Sequence, residues 1–182
     1  HANPKVCGII RAGSLLNAPF RGRATCVAFC GRMAEFSAQS GSRLLLRGAG
    51  PGIAERAAHE LSKRYPNVNI VGAYAGSPKE DAFQEVLSRL NTAQPDVLLV
   101  AYGAPRQDLW IGEHRNALPP SLKVAMGVGG VLDYLSGHVP LAPAWIRRIG
   151  MEGLYRLIKQ PWRWRRILRV FSFGLLILRK KF

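Results

Sequence analysis

Three consecutive polar residues, Arg106, Gln107 and Asp108, follow an apolar run that ends near Tyr102. A glutamine carboxamide donates and accepts hydrogen bonds without carrying charge, so Gln107 suits the hydroxyl groups of a sugar or the oxygens of a pyrophosphate. Asp108 has a second explanation, because a carboxylate in the first turn of a helix complements the helix dipole. Gln107 is therefore the first candidate for a binding or catalytic residue.

Another acid, Asp133, follows the glycine pair Gly129 and Gly130 in the stretch "GVGGVLDYLSG". The two oxygens of one carboxylate can accept hydrogen bonds from both hydroxyls of a ribose. The alternative is that Asp133 caps a helix or pairs with a nearby arginine. The stretch predicts either a nucleoside-binding carboxylate or a structural one.

The stretch "GAGPG", residues 48 to 52, places Gly48 and Gly50 where a strand would turn into a helix. Such a turn lets backbone N–H groups approach a phosphate, and it also serves as a tight connection that touches no ligand. The dinucleotide fingerprint is incomplete, because Ile53 stands in place of the third glycine and no acid closes the next strand. The sequence therefore disfavours NAD.

Other catalytic sets do not emerge from the sequence. The cysteines Cys7, Cys26 and Cys30 lack the spacing of metal ligands, and no Ser-His-Asp or Cys-His set can be assembled. An odd cysteine count without a secretory signal indicates reduced thiols in the cytosol. We expect neither a metal nor another cofactor.

Short apolar runs alternate with stretches of helical spacing, and these elements must position the candidates. The runs predict strands at 43–47, 68–74, 96–102 and 122–128, with helices at 51–63, 78–90 and 105–117. This order predicts an α/β fold, a parallel Rossmann-like sheet flanked by helices and joined by right-handed crossovers.

The ends of the predicted strands define a ligand-binding edge. The strands are apolar at consecutive positions, which is typical of strands covered on both faces. Ligands of such sheets bind beyond the carboxyl ends of the strands. The loops expected to meet there are 48–52, 72–78, 102–108 and 127–133.

The composition changes near residue 142, so we predict an α/β core over 1–142 and a basic helical appendage over 143–182. The formal net charge is +15, and the appendage contains a single acid, Glu152. Its basic residues are Arg147, Arg148, Arg156, Lys159, Arg163, Arg165, Arg166, Arg169, Arg179, Lys180 and Lys181. Such charge indicates a phosphate-bearing partner.

Apolar residues are interleaved with the basic ones in the appendage. The run from Phe171 to Leu178 is too short to cross a bilayer. Together with Trp162 and Trp164 it predicts an amphipathic helix that lies on an anionic membrane surface. Nucleic acid is the alternative partner for such charge, and the apolar stripe favours lipid.

Four blocks, "GAPRQDLW", "VGGVLDYLSG", "LAPAW" and "GMEGLYRLIKQPWRWRR", resemble the successive signature blocks of the WecG/TagA/CpsF glycosyltransferases. The segment "LLLRGAGPGIAERAAHELSKRYPNVNIVGAYAG" is similar to their central βαβ unit, and the resemblance extends from about Val6 onward. It implies an inverting, metal-independent transfer of an N-acetylmannosamine-type sugar from a UDP donor to undecaprenyl-diphosphate-linked N-acetylglucosamine. The product would serve teichoic acid or another surface polymer.

The resemblance also implies which residues act. Gln107 matches the active-site glutamine, and Arg156, Arg163 and Arg166 match appendage arginines that reach the diphosphate, so these four are the expected catalytic residues. Asp133 and Gly76 match positions of the uridine pocket. The full set of expected donor-binding residues is Gly48, Gly50, Gly76, Gly103, Pro105, Arg106, Gly129, Gly130 and Asp133.

The sequence departs from the family pattern at several positions. Cys7 stands where the family has the aspartate that acts as base, and a thiol near its ordinary pKa is mostly protonated at neutral pH. Ser77, Leu141 and Gly153 replace a tyrosine, an arginine and a tryptophan. The family's first strand would precede His1, so we expect the chain to be part of a longer protein.

The expected partners are a UDP-sugar, the lipid-linked acceptor and the inner, cytoplasmic face of a bacterial membrane, where the protein would be peripheral. Nucleic acid is not expected, and a homo-oligomer is left open. The alternative from a different class is a non-catalytic family member that uses the basic appendage as a membrane-binding or scaffold element.

Overall fold

The computed structural model describes residues 26–76, 78, 83–140, 142–143, 146, 155 and 158. Residues 27–140 form one compact unit, and the fold given below is that unit. Cys7, Arg156, Arg163 and Arg166 lie outside the described residues. Their roles, and the predicted domain boundary at residue 142, stay predictions.

Helices and strands alternate through the described unit. In chain order they are α1 (Cys26–Ser40), β1 (Leu44–Gly48), α2 (Ile53–Arg64), β2 (Ile70–Tyr74), α3 (Phe83–Ala93), β3 (Val97–Ala101), α4 (Arg106–His114), β4 (Val124–Gly127) and α5 (Val131–Leu135). The strands form one parallel sheet in the order β2-β1-β3-β4. The predicted α/β fold is confirmed, and α1 and α5 are additional to the predicted elements.

The two central strands of the described sheet, β1 and β3, lie in the hydrophobic core. Every residue of β1 and β3 is buried. Because side chains alternate along a strand, Leu45, Leu98 and Val100 share one face, where they pack with Trp110 and other apolar residues of α3 and α4. Fully burying a leucine contributes roughly 1.5–3 kcal/mol, so these strands anchor the unit.

The opposite face of the sheet is covered by α2. Its buried side chains include Ile53, Ala57 and Leu61, spaced to form one stripe along the helix. The short helix α5 packs against α2, with Leu132 fully buried. Both faces of the central strands are thus covered, as their continuous apolar runs predict.

The strand order fixes where a ligand could bind. From β1 the chain crosses to β2 on one side, and from β3 it crosses to β4 on the other side. The strand order therefore reverses between β1 and β3. In open parallel sheets the crevice at this switch point, beyond the carboxyl ends of the strands, is the usual ligand site.

A charged cluster lies at the amino ends of the same strands. Asp96 accepts hydrogen bonds from the backbone N–H of Arg43 at 2.9 Å and from Lys123 Nζ at 3.0 Å. These contacts, the Arg43 N–H first, lower the pKa of Asp96 to about 2. Asp96 thus joins the starts of β1, β3 and β4 at the edge opposite the switch point.

No helix in the described part of the chain combines the length and the apolar character needed to cross a bilayer.

Candidate functional site

Gln107 joins two loops at the carboxyl edge of the sheet. Its side chain is only 5% exposed, and its Oε1 accepts hydrogen bonds from the backbone N–H groups of Gly103 at 3.1 Å and Gly129 at 2.8 Å. Both glycines have positive φ, 79° and 60°, which other residues rarely adopt. Gln107 therefore holds the turn after β3 against the turn after β4.

The remaining polar atom of Gln107 lies over the end of β4. A Cβ added to Gly127 would lie 2.5 Å from Gln107 Nε2 and 2.7 Å from Asp108 Oδ1, so glycine is what lets both side chains approach. Among the described residues no acceptor bonds to Nε2 of Gln107. The amide N–H groups of Gln107 are consequently donors that this pair of loops can offer to a ligand.

A buried arginine, Arg47, lies at the end of β1 beside the switch point. Its side chain is 4% exposed, and its Nε donates a hydrogen bond to the hydroxyl of Tyr102 at 2.5 Å. The guanidinium carbon is 5.9 Å from the ring centroid of Tyr74 and 6.0 Å from that of Tyr102. Within the part of the chain that the structure describes, no carboxylate pairs with Arg47.

Arg47 is not among the site residues predicted from the sequence. The sequence could have indicated it, because an arginine inside a run predicted to be buried on both faces must find polar contacts. Its partner Tyr102 is 55 positions away, and only the pairing of β1 with β3 brings the two together.

Two glycines expected to bind the donor also accommodate this pair. A Cβ added to Gly76 would lie 2.5 Å from the guanidinium carbon of Arg47, and one added to Gly48 would lie 3.0 Å from Cδ1 of Tyr102. The absence of a side chain at both positions therefore has a structural reason, independent of any ligand. Their contact with a donor stays a prediction.

Burial sets the ionisation of the tyrosines near Arg47. Burial raises the pKa of Tyr102, and the Arg47 charge opposes this rise only in part. The pKa of Tyr74 is raised in the same way, against the opposing charges of Arg89 and Arg47. Both phenols are neutral at physiological pH, so neither compensates the Arg47 charge, and Tyr102 keeps one O–H to donate.

The other expected donor-binding residues lie in the same set of loops. Gly50 and Arg106 are exposed, and Pro105 follows a cis peptide bond just before α4. Gly130 is the N-cap of α5, and Asp133 lies partly buried in the first turn of that helix. The structure thus brings Gln107 to the loop that leads into Asp133, through its bond to Gly129.

Metal-ligating residues do not cluster in the described unit. Among the described residues there is no group of three or more His, Cys, Asp or Glu side chains that could hold a metal ion. Neither Cys26 nor Cys30 forms a disulfide bond within the described residues.

The parallel sheet, whose strand order reverses between β1 and β3, defines an α/β protein. Residues 3–182 match the family model described as Glycosyl transferase WecG/TagA/CpsF family. The chain belongs to this family, as its signature blocks predict.

Two relatives from Bacillus are similar to the chain, and each is named N-acetylglucosaminyldiphosphoundecaprenol N-acetyl-beta-D-mannosaminyltransferase. The Bacillus subtilis protein is 34% identical over 139 residues, which cover 76% of this chain and 53% of the relative. The Bacillus spizizenii protein is 28% identical over 176 residues, covering 97% of this chain and 67% of the relative. The chain spans about half to two thirds of the length of these relatives.

Proposed function

We propose that this chain is the donor-binding part of a glycosyltransferase that moves an N-acetylmannosamine-type sugar from UDP to undecaprenyl-diphosphate-linked N-acetylglucosamine. Family membership over nearly the whole chain and the names of both relatives support the acceptor and the sugar. The structural observation that carries the proposal is the Gln107 bridge between the Gly103 and Gly129 turns beside the switch point.

The proposed reaction is a single displacement with inversion at the anomeric carbon. The acceptor hydroxyl oxygen attacks that carbon, its proton passes to a base, and the bond to the diphosphate of UDP breaks. Negative charge grows on the diphosphate as it leaves, so guanidinium groups directed at it lower the barrier. We assign this task to Arg156, Arg163 and Arg166, and the proposed route needs no metal ion.

UDP binding tests the donor half of the proposal. A ligand that binds only the folded state raises the melting temperature, so millimolar UDP is expected to stabilise the chain by several degrees. CMP at the same concentration is the matched control, since it is a nucleotide with a different base and one phosphate fewer. The absence of any shift with UDP, measured by calorimetry, would contradict a nucleotide site.

The general base is the part of the proposed reaction that the residues of this chain fit least well. Cys7 stands where the family has an aspartate, and the thiol is a poor base at about pH 7 because its ordinary pKa is about 8.5. We expect Cys7→Asp to raise the rate of sugar transfer from radiolabelled UDP-N-acetylmannosamine to the lipid-linked acceptor.

The control for this prediction is Cys7→Ser, which supplies no base and should not exceed the unaltered chain. Equal rates for the aspartate variant and the unaltered chain would show that another group accepts the proton. Anomeric analysis of the product separately tests inversion.

A further inference from the structure

Arg47 occupies an unusual place for a charged residue. It lies in a central strand, one residue before the end of β1, and its partner Tyr102 follows directly on β3. Arg47 is therefore beside the switch point, and its guanidinium lies next to Gly76, one of the expected donor-binding residues. The guanidinium carbon also lies 5.9 Å from the ring centroid of Tyr74, 6.0 Å from that of Tyr102, and close to the backbone of Gly76.

The charge of Arg47 is not neutralised by the described residues. Removing a cation from water costs several kcal/mol unless an anion or an adequate set of hydrogen bonds replaces the water. Here the contacts are a neutral hydroxyl and two aromatic faces, which compensate only part of that cost. Asp96, which directly precedes the neighbouring strand β3, is engaged with Arg43 and Lys123 at the opposite edge of the sheet.

We propose that Arg47 is a fixed positive charge that makes the switch-point crevice selective for a ligand with a diphosphate over the corresponding neutral nucleoside. This inference rests on the proposed function, and it adds to the core a phosphate-selecting residue distinct from the appendage arginines. Arg47 need not touch the ligand, since a charge with little water around it acts over several ångströms. At an effective dielectric constant of about 20, two unit charges about 12 Å apart interact strongly enough to change affinity about tenfold.

The test compares the affinities of UDP and uridine for the 182-residue chain by isothermal titration calorimetry. Arg47→Met removes the charge and keeps an unbranched apolar chain, and Arg47→Gln keeps a donor for the hydroxyl of Tyr102. Both variants are expected to bind UDP about tenfold more weakly and uridine as before. Arg47→Lys keeps the charge and should retain most of the preference for UDP.

Arg64→Met is the matched control. Arg64 is an exposed arginine at the end of α2, and the same exchange there changes the net charge equally. It should leave the ratio of the two affinities unchanged. A fall in that ratio for Arg64→Met equal to the fall for Arg47→Met would reduce the effect to net charge and overturn the proposal.

Three further outcomes decide the matter. A chain that binds neither UDP nor uridine contradicts the proposed function itself. If the unaltered chain prefers UDP and Arg47→Met keeps that preference, only the proposed role of Arg47 is overturned. Loss of the preference for UDP in Arg47→Lys would overturn the same role. Because an unneutralised buried charge adds little stability, the neutral variants should melt within a few degrees of the unaltered chain. Their failure to fold would show that the charge is paired inside the chain and would also overturn the proposal.

Discussion

At the scale of single residues, Gln107 has a structural task, and we propose a binding task for the same side chain. Its Oε1 is fully occupied by two backbone N–H groups, while its Nε2 has no described acceptor. The two ends of the carboxamide can therefore be altered separately.

Gln107→Met and Gln107→Glu are expected to have opposite profiles. Methionine removes the acceptor of two N–H groups, and each unsatisfied group costs about 1–3 kcal/mol, so the free energy of unfolding should fall by about 2 kcal/mol or more. Glutamate keeps both bonds, which become charge-assisted and offset part of the cost of burying its charge, so it should lose less stability than methionine. It replaces the Nε2 donor by negative charge, so it should lose most of the affinity for UDP. Urea unfolding and calorimetric titration measure the two quantities.

A glutamate variant that binds UDP as tightly as the unaltered chain would place the diphosphate away from Gln107. An unchanged free energy of unfolding for the methionine variant would show that water satisfies Gly103 and Gly129 without the carboxamide.

The residues of the candidate site differ in how far the sequence could reveal them. Gln107 could be predicted because a neutral polar side chain directly after an apolar strand is conspicuous. Arg47 could not be understood from its own segment, since its contacts come from Tyr74 and Tyr102, which only the sheet order brings near. The left-handed turns at Gly103 and Gly129 could be expected, but the carboxamide that engages their N–H groups could not.

At the scale of elements, continuous apolar runs located every strand of the described sheet. Burial on both faces explains the runs of β1 and β3, where Arg47 is the polar exception. The helices α1 and α5 were not predicted from the sequence, for different reasons. Helix α1 has neither an acid in its first turn nor a base in its last, so no terminal signal marks it. Helix α5 spans five residues, too few for a helical period to show.

The cluster at the amino ends of the strands makes stability depend on pH. The pKa of Asp96 is about 2 in the folded chain, and an unfolded aspartate has a pKa of about 3.9. The contribution of Asp96 is therefore fully present above about pH 4 and is lost as the pH falls towards 2. Thermal unfolding between about pH 6 and pH 2 should show the unaltered chain losing more stability than Asp96→Asn.

Glu60→Gln provides the control for Asp96. The neighbouring Lys63 lowers the pKa of Glu60, but the pair is exposed on α2 and its contribution should be small. Parallel curves for the unaltered chain and Asp96→Asn would show that Arg43 and Lys123 do not stabilise the folded state through this carboxylate.

At the scale of the whole molecule, the charge of +15 is concentrated towards the end of the chain. We propose that the appendage holds the protein at the inner face of the membrane, where a lipid-linked acceptor would be available. Anionic lipid attracts basic residues, and apolar side chains add a contribution that only a bilayer offers.

Liposome flotation distinguishes lipid from nucleic acid as the partner of this charge. The chain is expected to float with vesicles that contain about a third anionic lipid, and a variant with Trp162 and Trp164 changed to Ala should float less. DNA retention at the same salt should be unaffected by the tryptophan changes, since it depends on charge. Equal losses in both assays would contradict a lipid-facing role for the tryptophans.

The position of Arg47 and Tyr102 also relates to the local unfolding of the sheet. Native proteins open in cooperative segments, and the most deeply buried strands open last. β1 and β3 are buried throughout, while β2 and β4 are partly exposed, so amide protons of the central pair should exchange with deuterium most slowly. Arg47 and Tyr102 therefore lie at the ends of the strands that open last. A nucleotide bound at the switch point would slow amide exchange in the flanking turns and leave the exchange rates of the central strands unchanged.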